Sequence, residues 1–312
     1  MTEIFDTRLI IEGPFRTPMQ MLDTQEYGGH MSIHDDATAE KLGFKGGPIE
    51  GPTHFSQFIP ILYKIWGNEW FETGCISAHY QNACVEGEEV KVFAELPKED
   101  EKLVRIWAEK KDGTPVLTGT ASIGPEHPES EVEKRIKSLK PVTKLVILRD
   151  VQVGDKGAQI EHVKMDFDQN MGALYPFTLN DKLKNITETC PWYTPAGGSE
   201  SPWGKPVIPL EMVSVLTQYT SEQAKFPIRG PAIGLFADQE IKILKGPLLV
   251  GKEYELEREV IALSESRRTE SCWIKTLVRD PEDNEIKAEV ILNSATLKNS
   301  YANYEKEAQE LL

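Results

Sequence analysis

Four cysteines in 312 residues (Cys75, Cys84, Cys190 and Cys272) leave no C-x-x-C pair and too few thiols for a disulfide scaffold. Long apolar runs are missing too: nothing approaches the roughly 20 apolar residues that a membrane helix needs. The opening MTEIFDTRLIIEGPF has early acids and only a short apolar run, unlike a secretory signal, so a cytoplasmic protein with no membrane partner is expected. Positive charge is scarce. The 35 Lys and Arg stand against 50 Asp and Glu, a net charge of −15, with no basic footprint for nucleic acid. No Walker A, G-x-G-x-x-G, H-E-x-x-H or G-x-S-x-G pattern occurs. Their absence argues against nucleotide hydrolysis, nicotinamide chemistry, zinc proteolysis and serine hydrolysis.

What is present is ordinary globular composition, 39% hydrophobic and 27% charged, in a chain longer than one usual domain. A repeat explains the length. Gly46-Gly47-Pro48-Ile49 recurs as Gly204-Lys205-Pro206-Val207, at an offset of 158 residues. Each copy runs into a segment with apolar residues three and four apart: Phe55, Phe58, Ile59, Leu62 and Ile65 within 53–66, and Met212, Val215, Leu216 and Tyr219 within 210–223. These spacings predict two helices, the first kinked or ended early by Pro60. After each helix come four segments with strand-like alternation: 75–83, 89–96, 103–111 and 115–123, then 233–244, 252–263, 269–280 and 286–297. Asp112-Gly113 marks a hairpin. An α+β fold follows, one helix and one antiparallel meander in each half. The acidic, proline-containing segment 125–142 reads as a linker between halves 1–124 and 143–312, and 301–312 as a short surface helix.

Titratable groups concentrate in one stretch, residues 27–55. It holds three of the six histidines (His30, His34 and His54) and the acids Asp35, Asp36 and Glu50. Around them are Gly28, Gly29, Gly43, Gly46, Gly47 and Gly51, which allow close backbone approach to a ligand. Gly51 sits where the first long helix begins, and an N–H there suits a developing oxyanion. A histidine that titrates near neutrality is the natural general acid or base. His30-x-x-x-His34 has the spacing of two metal ligands on a helix face, but the adjacent glycines and Ser32 argue against a helix, so no metal is expected.

Ile33-His34-Asp35-Asp36, then Leu42-Gly43-Phe44 and Gly47-Pro48-Ile49, resembles the signature of the MaoC-like, (R)-specific enoyl-CoA hydratases. The resemblance implies a tandem double hotdog, in agreement with the repeat, and an acyl-CoA thioester as substrate with no separate cofactor. It implies His34 as the catalytic histidine and Asp36 as the N-cap of the short helix. The family's catalytic aspartate falls on Gly29, a departure that leaves Glu50, Asp35 and His30 as available substitutes, with Glu50 the best placed. The family's hydratase or dehydratase reaction leads, with an acyl-CoA thioesterase or a non-catalytic thioester-binding protein as alternatives. The second half keeps only the Gly-x-Pro-Val approach to its helix, so the resemblance implies that it shapes the acyl tunnel. Trp192, Tyr193 and Trp203 are its candidate lining residues. A double hotdog is already an internal dimer, and a homodimer of such units is compatible with the pattern. A polyanionic CoA ester bound by this acidic chain requires cations gathered at one mouth of the cleft. Lys110-Lys111 and Arg267-Arg268 are candidates to clamp its phosphates.

Overall fold

A computed structural model describes residues 8–27 and 29–311, so Gly28 and Leu312 lie outside the described residues. In the first half, β1 (Ile10–Glu12) and a small hairpin, β2 (Glu26–Tyr27) with β3 (His30–Met31), precede α1 (Asp36–Lys41). A 3-10 turn (Gly51–His54) runs directly into α2 (Phe55–Trp66), followed by α3 (Asn68–Thr73) and the strands β4 (Gly74–Tyr80), β5 (Val90–Glu95), β6 (Leu103–Lys110) and β7 (Pro115–Ile123). The connecting segment contains α4 (Glu131–Lys137). The second half runs β8 (Glu161–Lys164), α5 (Leu179–Asn185), α6 (Pro195–Ser199), α7 (Leu210–Gln218), β9 (Gly234–Ile243), β10 (Glu253–Glu265), β11 (Thr269–Arg279), β12 (Ile286–Leu297) and α8 (Tyr304–Glu310). Among the described residues no helix is long and apolar enough to cross a membrane.

The two meanders join into one antiparallel sheet, ordered β1-β5-β6-β7-β4-β9-β12-β11-β10-β8. The seam is β4 against β9, with Ile76 opposite Ile241 and Ala78 opposite Gln239. The halves therefore share ladder hydrogen bonds as well as a core, and cannot separate without exposing both. Helices α2 and α7 pack on the same face of this sheet. Phe55, Phe58 and Leu62 join Met212, Val215 and Leu216 in one continuous core. Each such side chain contributes about 1.5–3 kcal/mol when fully buried.

Pro60 does not end the first helix. It lies in the middle of α2 on the exposed side, where only its own missing N–H bond is lost. The second helix is shorter than its periodicity predicts. It stops at Gln218 and continues only as a 3-10 turn over Ser221–Ala224. The repeat also runs one residue differently from the sequence match. The Ile49 N–H donates to the Cys84 carbonyl, and the Ile208 N–H donates to that of Leu248. Side chains confirm an offset of 159: Asp35 caps the Thr38 N–H, and Thr194 caps the Gly197 N–H.

The opposite face of the sheet is covered by what joins and follows the halves. Helix α4 carries a capping box, Ser130 with Glu133, and buries Val132 against Trp273 and Ile291. The linker thus holds a helix that is part of the core. Segment 145–151 packs on Val260 and Cys272, and the fully buried Glu270 carboxylate accepts the N–H groups of Val146, Ile147 and Leu148.

Candidate active site

A cavity of about 760 Å³ opens between the start of α2 and the far end of the second half's sheet. His34, Glu50, Gly51 and His54 line it from the first half. Tyr175, Gln218, Phe236, Ile274 and Leu292 line it from the second. The space exists because α7 is short. Beyond its end the cavity is lined by Ser221 and Glu222 of the 3-10 turn and by Leu292, Ser294 and Thr296 of β12.

His34 is placed by its backbone and by one hydrogen bond. Gly47 lies against it so closely that a Cβ there would fall 2.1 Å from the His34 carbonyl oxygen, which requires glycine. The His34 Nδ1–H donates to the Pro48 carbonyl at 2.6 Å. A carbonyl only accepts, so Nδ1 carries the proton and Nε2 keeps its lone pair. The ring is half-buried at the cavity wall, and loss of water around it lowers its pKa to about 4, with the Pro48 hydrogen bond opposing. The imidazole is therefore neutral at physiological pH.

Glu50 immediately precedes the 3-10 turn and is 8% exposed. The Tyr175 hydroxyl donates to its Oε1 at 3.1 Å, and its Oε2 has no partner among the described residues. Burial raises its pKa to about 7; Lys182 and the Tyr175 hydrogen bond pull it down, and Glu211 pushes it up. Gly51 follows. A Cβ there would lie 2.5 Å from the Tyr80 ring, so only glycine fits. The Gly51 N–H makes no hydrogen bond among the described residues, and Pro52 after it has none to offer. His54, 2% exposed, also has its pKa lowered to about 4, by burial and by Lys182 and Lys110.

The structure thus brings together His34, Glu50 and Gly51, and separates the remaining expected residues from them. Asp35, not Asp36, caps α1: it accepts from the Thr38 N–H and hydroxyl, and does not line the cavity. Asp36 instead accepts the Gly47 N–H at 2.7 Å and so holds the glycine under His34. Gly29 forms the β2–β3 turn with φ of +83° and is also absent from the cavity wall, although its neighbour His30 is on it. Trp192, Tyr193 and Trp203 do not line this cavity. Trp192 meets both Phe71 and Trp203 edge-on, Trp203 lies tilted against Phe71, and Tyr193 borders a separate pocket of about 30 Å³.

Nor do the basic pairs reach the cavity. Lys110 and Lys111 pair with Glu88 and Glu89, while Arg268 stacks on Phe44 and donates to the Leu42 carbonyl. The cations on the cavity wall are Lys225 and Arg229, and Arg229 is paired with Asp150 and Glu307. The expected gathering of cations is therefore sparse here. Tyr175 and Lys182 escape sequence reasoning, because nothing in their local pattern marks them as neighbours of Glu50.

No protein-family model matches the sequence, and no curated protein matches it. Solved structures do. A putative MaoC domain protein dehydratase from Chloroflexus aurantiacus J-10-fl is 13% identical, with 94% of this chain and 95% of that one covered and a TM-score of 0.58. A MaoC-like dehydratase is 13% identical, with 91% and 98% covered and a TM-score of 0.50. A conserved hypothetical protein of Mycobacterium tuberculosis with a double hotdog fold is 10% identical, with 94% and 97% covered and a TM-score of 0.53. These likenesses span nearly the whole chain at low identity, and what they establish is its architecture: the chain is a double hotdog.

Proposed function

We propose that the protein adds water to a 2-enoyl thioester, or removes it from a 3-hydroxyacyl thioester, with the acyl group in the cavity between the halves. The observation that carries this reading is that His34, Glu50 and Gly51, whose N–H has no partner among the described residues, line one cavity. Proton affinity divides the roles. Glu50, with a pKa of about 7, holds a proton more tightly than His34 at about 4, so Glu50 is the better base. The neutral His34 orients the attacking water through its Nε2 lone pair.

In hydration, the water oxygen bonds to C3 while one water proton passes to Glu50. The C2=C3 electron pair moves to the thioester oxygen, where the Gly51 N–H stabilises it. The enolate then collapses and takes the proton from Glu50 onto C2. The thioester is restored, with H and OH added across the former double bond. Dehydration is the reverse.

Lys225 at the cavity wall is exposed and free of ion pairs among the described residues, so it is the group available to a CoA phosphate. The test is a hydration assay with crotonyl-CoA, longer enoyl-CoA esters and the matching N-acetylcysteamine thioesters, which lack phosphates. Turnover should fall roughly 10²–10⁴-fold in Glu50→Gln and in His34→Ala. No turnover of any thioester, or full activity in both variants, rejects the reading.

A second reading rests on the same Glu50, whose free oxygen beside Gly51 would equally direct water at the thioester carbonyl carbon. Such a thioesterase releases free thiol from saturated acyl-CoA, and loses that release in Glu50→Gln.

A further inference from the structure

Glu50 belongs to the first half, yet the groups that hold it come from the second. A glutamate carboxyl turns freely about its last torsion unless something fixes its plane. We propose that Tyr175, delivered by the second half, is a positioning residue that fixes the Glu50 carboxyl with one oxygen held and the other open to the cavity, and that Lys182 completes this support. The inference rests on the proposed role of Glu50 and adds the residues that make it competent.

The geometry is specific. Tyr175 is 3% exposed, and its hydroxyl donates to Glu50 Oε1, which leaves Oε2 as the oxygen with no partner. The segment that carries Tyr175 is itself braced. Met171, Leu174 and Phe177 are buried in the main core, and the Tyr175 and Phe177 rings meet edge-on at 6.0 Å. The Met171 N–H donates to the Phe177 carbonyl at 3.1 Å. Across the halves, the Gln25 side chain donates to the Leu174 carbonyl at 2.5 Å, which ties the segment to the residue just before the β2–β3 hairpin. A rigid donor of this kind selects one carboxyl orientation at little entropic cost.

Lys182, on α5, is anchored beside the turn that follows Glu50, and its charge favours the ionised Glu50 carboxyl. Its ammonium lies 2.9 Å from Glu211 on α7 and donates to the Thr53 hydroxyl at 3.2 Å, three residues beyond Glu50. Ser56 donates to the other Glu211 oxygen at 2.6 Å. His34, His54, Tyr80 and Tyr175 line the same cavity as Glu50, whereas Lys182 and Glu211 are not among its lining residues. The Lys182 ammonium is thus paired with Glu211, and its field reaches Glu50 as well. The second half supplies the hydrogen bond that orients Glu50 and, among the described residues, the charge that favours its ionised form.

The test combines a titration with a rate profile. In protein labelled with carboxyl-¹³C glutamate, the Glu50 signal is assigned by its loss in Glu50→Gln. Its titration is then followed in wild type, Tyr175→Phe and Lys182→Met, with folding checked by thermal melts. Tyr175→Phe keeps the buried ring and removes only the donor. The Glu50 midpoint is expected to rise by about one pH unit in each variant. In the crotonyl-CoA assay kcat should fall roughly tenfold with KM little changed, and the acid limb should move up with the midpoint. A midpoint unmoved in both variants overturns the inference, whatever the activity. If the wild type turns over no thioester, the proposed reaction fails, and the titration alone still decides whether Tyr175 and Lys182 hold Glu50.

Discussion

Tyr193 occupies in the second half the place that His34 holds in the first. Asp35 and Thr194 cap α1 and α6 in the same way, and each stands one residue after its aromatic ring. The same offset sets Leu210 against Gly51 and Val213 against His54, and both border the 30 Å³ pocket with Tyr193. The duplicated fold therefore has one open site and one filled site. The fill is apolar: where the first half sets the Tyr80 ring against Gly51, the second has a leucine side chain.

The Tyr193 hydroxyl is buried with no hydrogen-bond partner among the described residues. Tyr193→Phe removes an unsatisfied polar group and keeps the ring. It should stabilise the protein by about 1 kcal/mol in urea unfolding and leave turnover unchanged. A loss of activity in this variant would show that the second site still takes part in catalysis.

Glu50 makes stability depend on pH in a defined direction. Its folded pKa of about 7 lies above its usual value of 4.5, so the folded state binds a proton more tightly than the unfolded one. That stabilising contribution is complete below pH 4.5 and is lost as pH rises through 7. Glu50→Gln removes the dependence. It should match wild type near pH 4 and exceed it at pH 8 by on the order of 3 kcal/mol, read from denaturant unfolding at the two pH values.

Two glycines make opposite predictions. Gly51→Ala forces a methyl into the Tyr80 ring, and should cost about 1–3 kcal/mol in stability together with most of the activity. Gly29→Asp introduces the carboxylate that the MaoC-like signature has, but at a positive-φ hairpin turn off the cavity wall with open space around it. It should cost about 1 kcal/mol and give no gain in turnover. A gain in the hydration assay would place that carboxylate within reach of the substrate after all.

Asp35→Ala deletes the cap of α1. Because its carboxylate is committed to Thr38, the variant should lose about 1 kcal/mol in thermal or urea unfolding while kcat stays close to that of wild type.

The strands were legible because alternation along a half-buried strand is set by backbone geometry alone. Residues 115–123, for example, form β7 with those bounds. His34 and Gly51 were legible for a related reason: both sit beside a helix start, where short-range spacing reflects local geometry. The one-residue error in the repeat came from matching Gly46 to Gly204. The halves are in fact aligned by their caps and by the Ile49 and Ile208 ladder bonds.

The sequence by itself determined that this chain is one α+β unit copied in tandem, with histidines and acids concentrated in residues 27–55. Periodicity, caps and composition are local properties, and they survive in one dimension. Only the tertiary structure decided which carboxylate faces the cavity, that the aromatic residues 192–203 fill a separate place, and that Glu50 is held from 125 residues away by Tyr175. Those relationships depend on how the two sheets join at β4 and β9 and where α7 stops. Contacts of that kind arise from chain closure and close packing, so no short stretch of sequence records them.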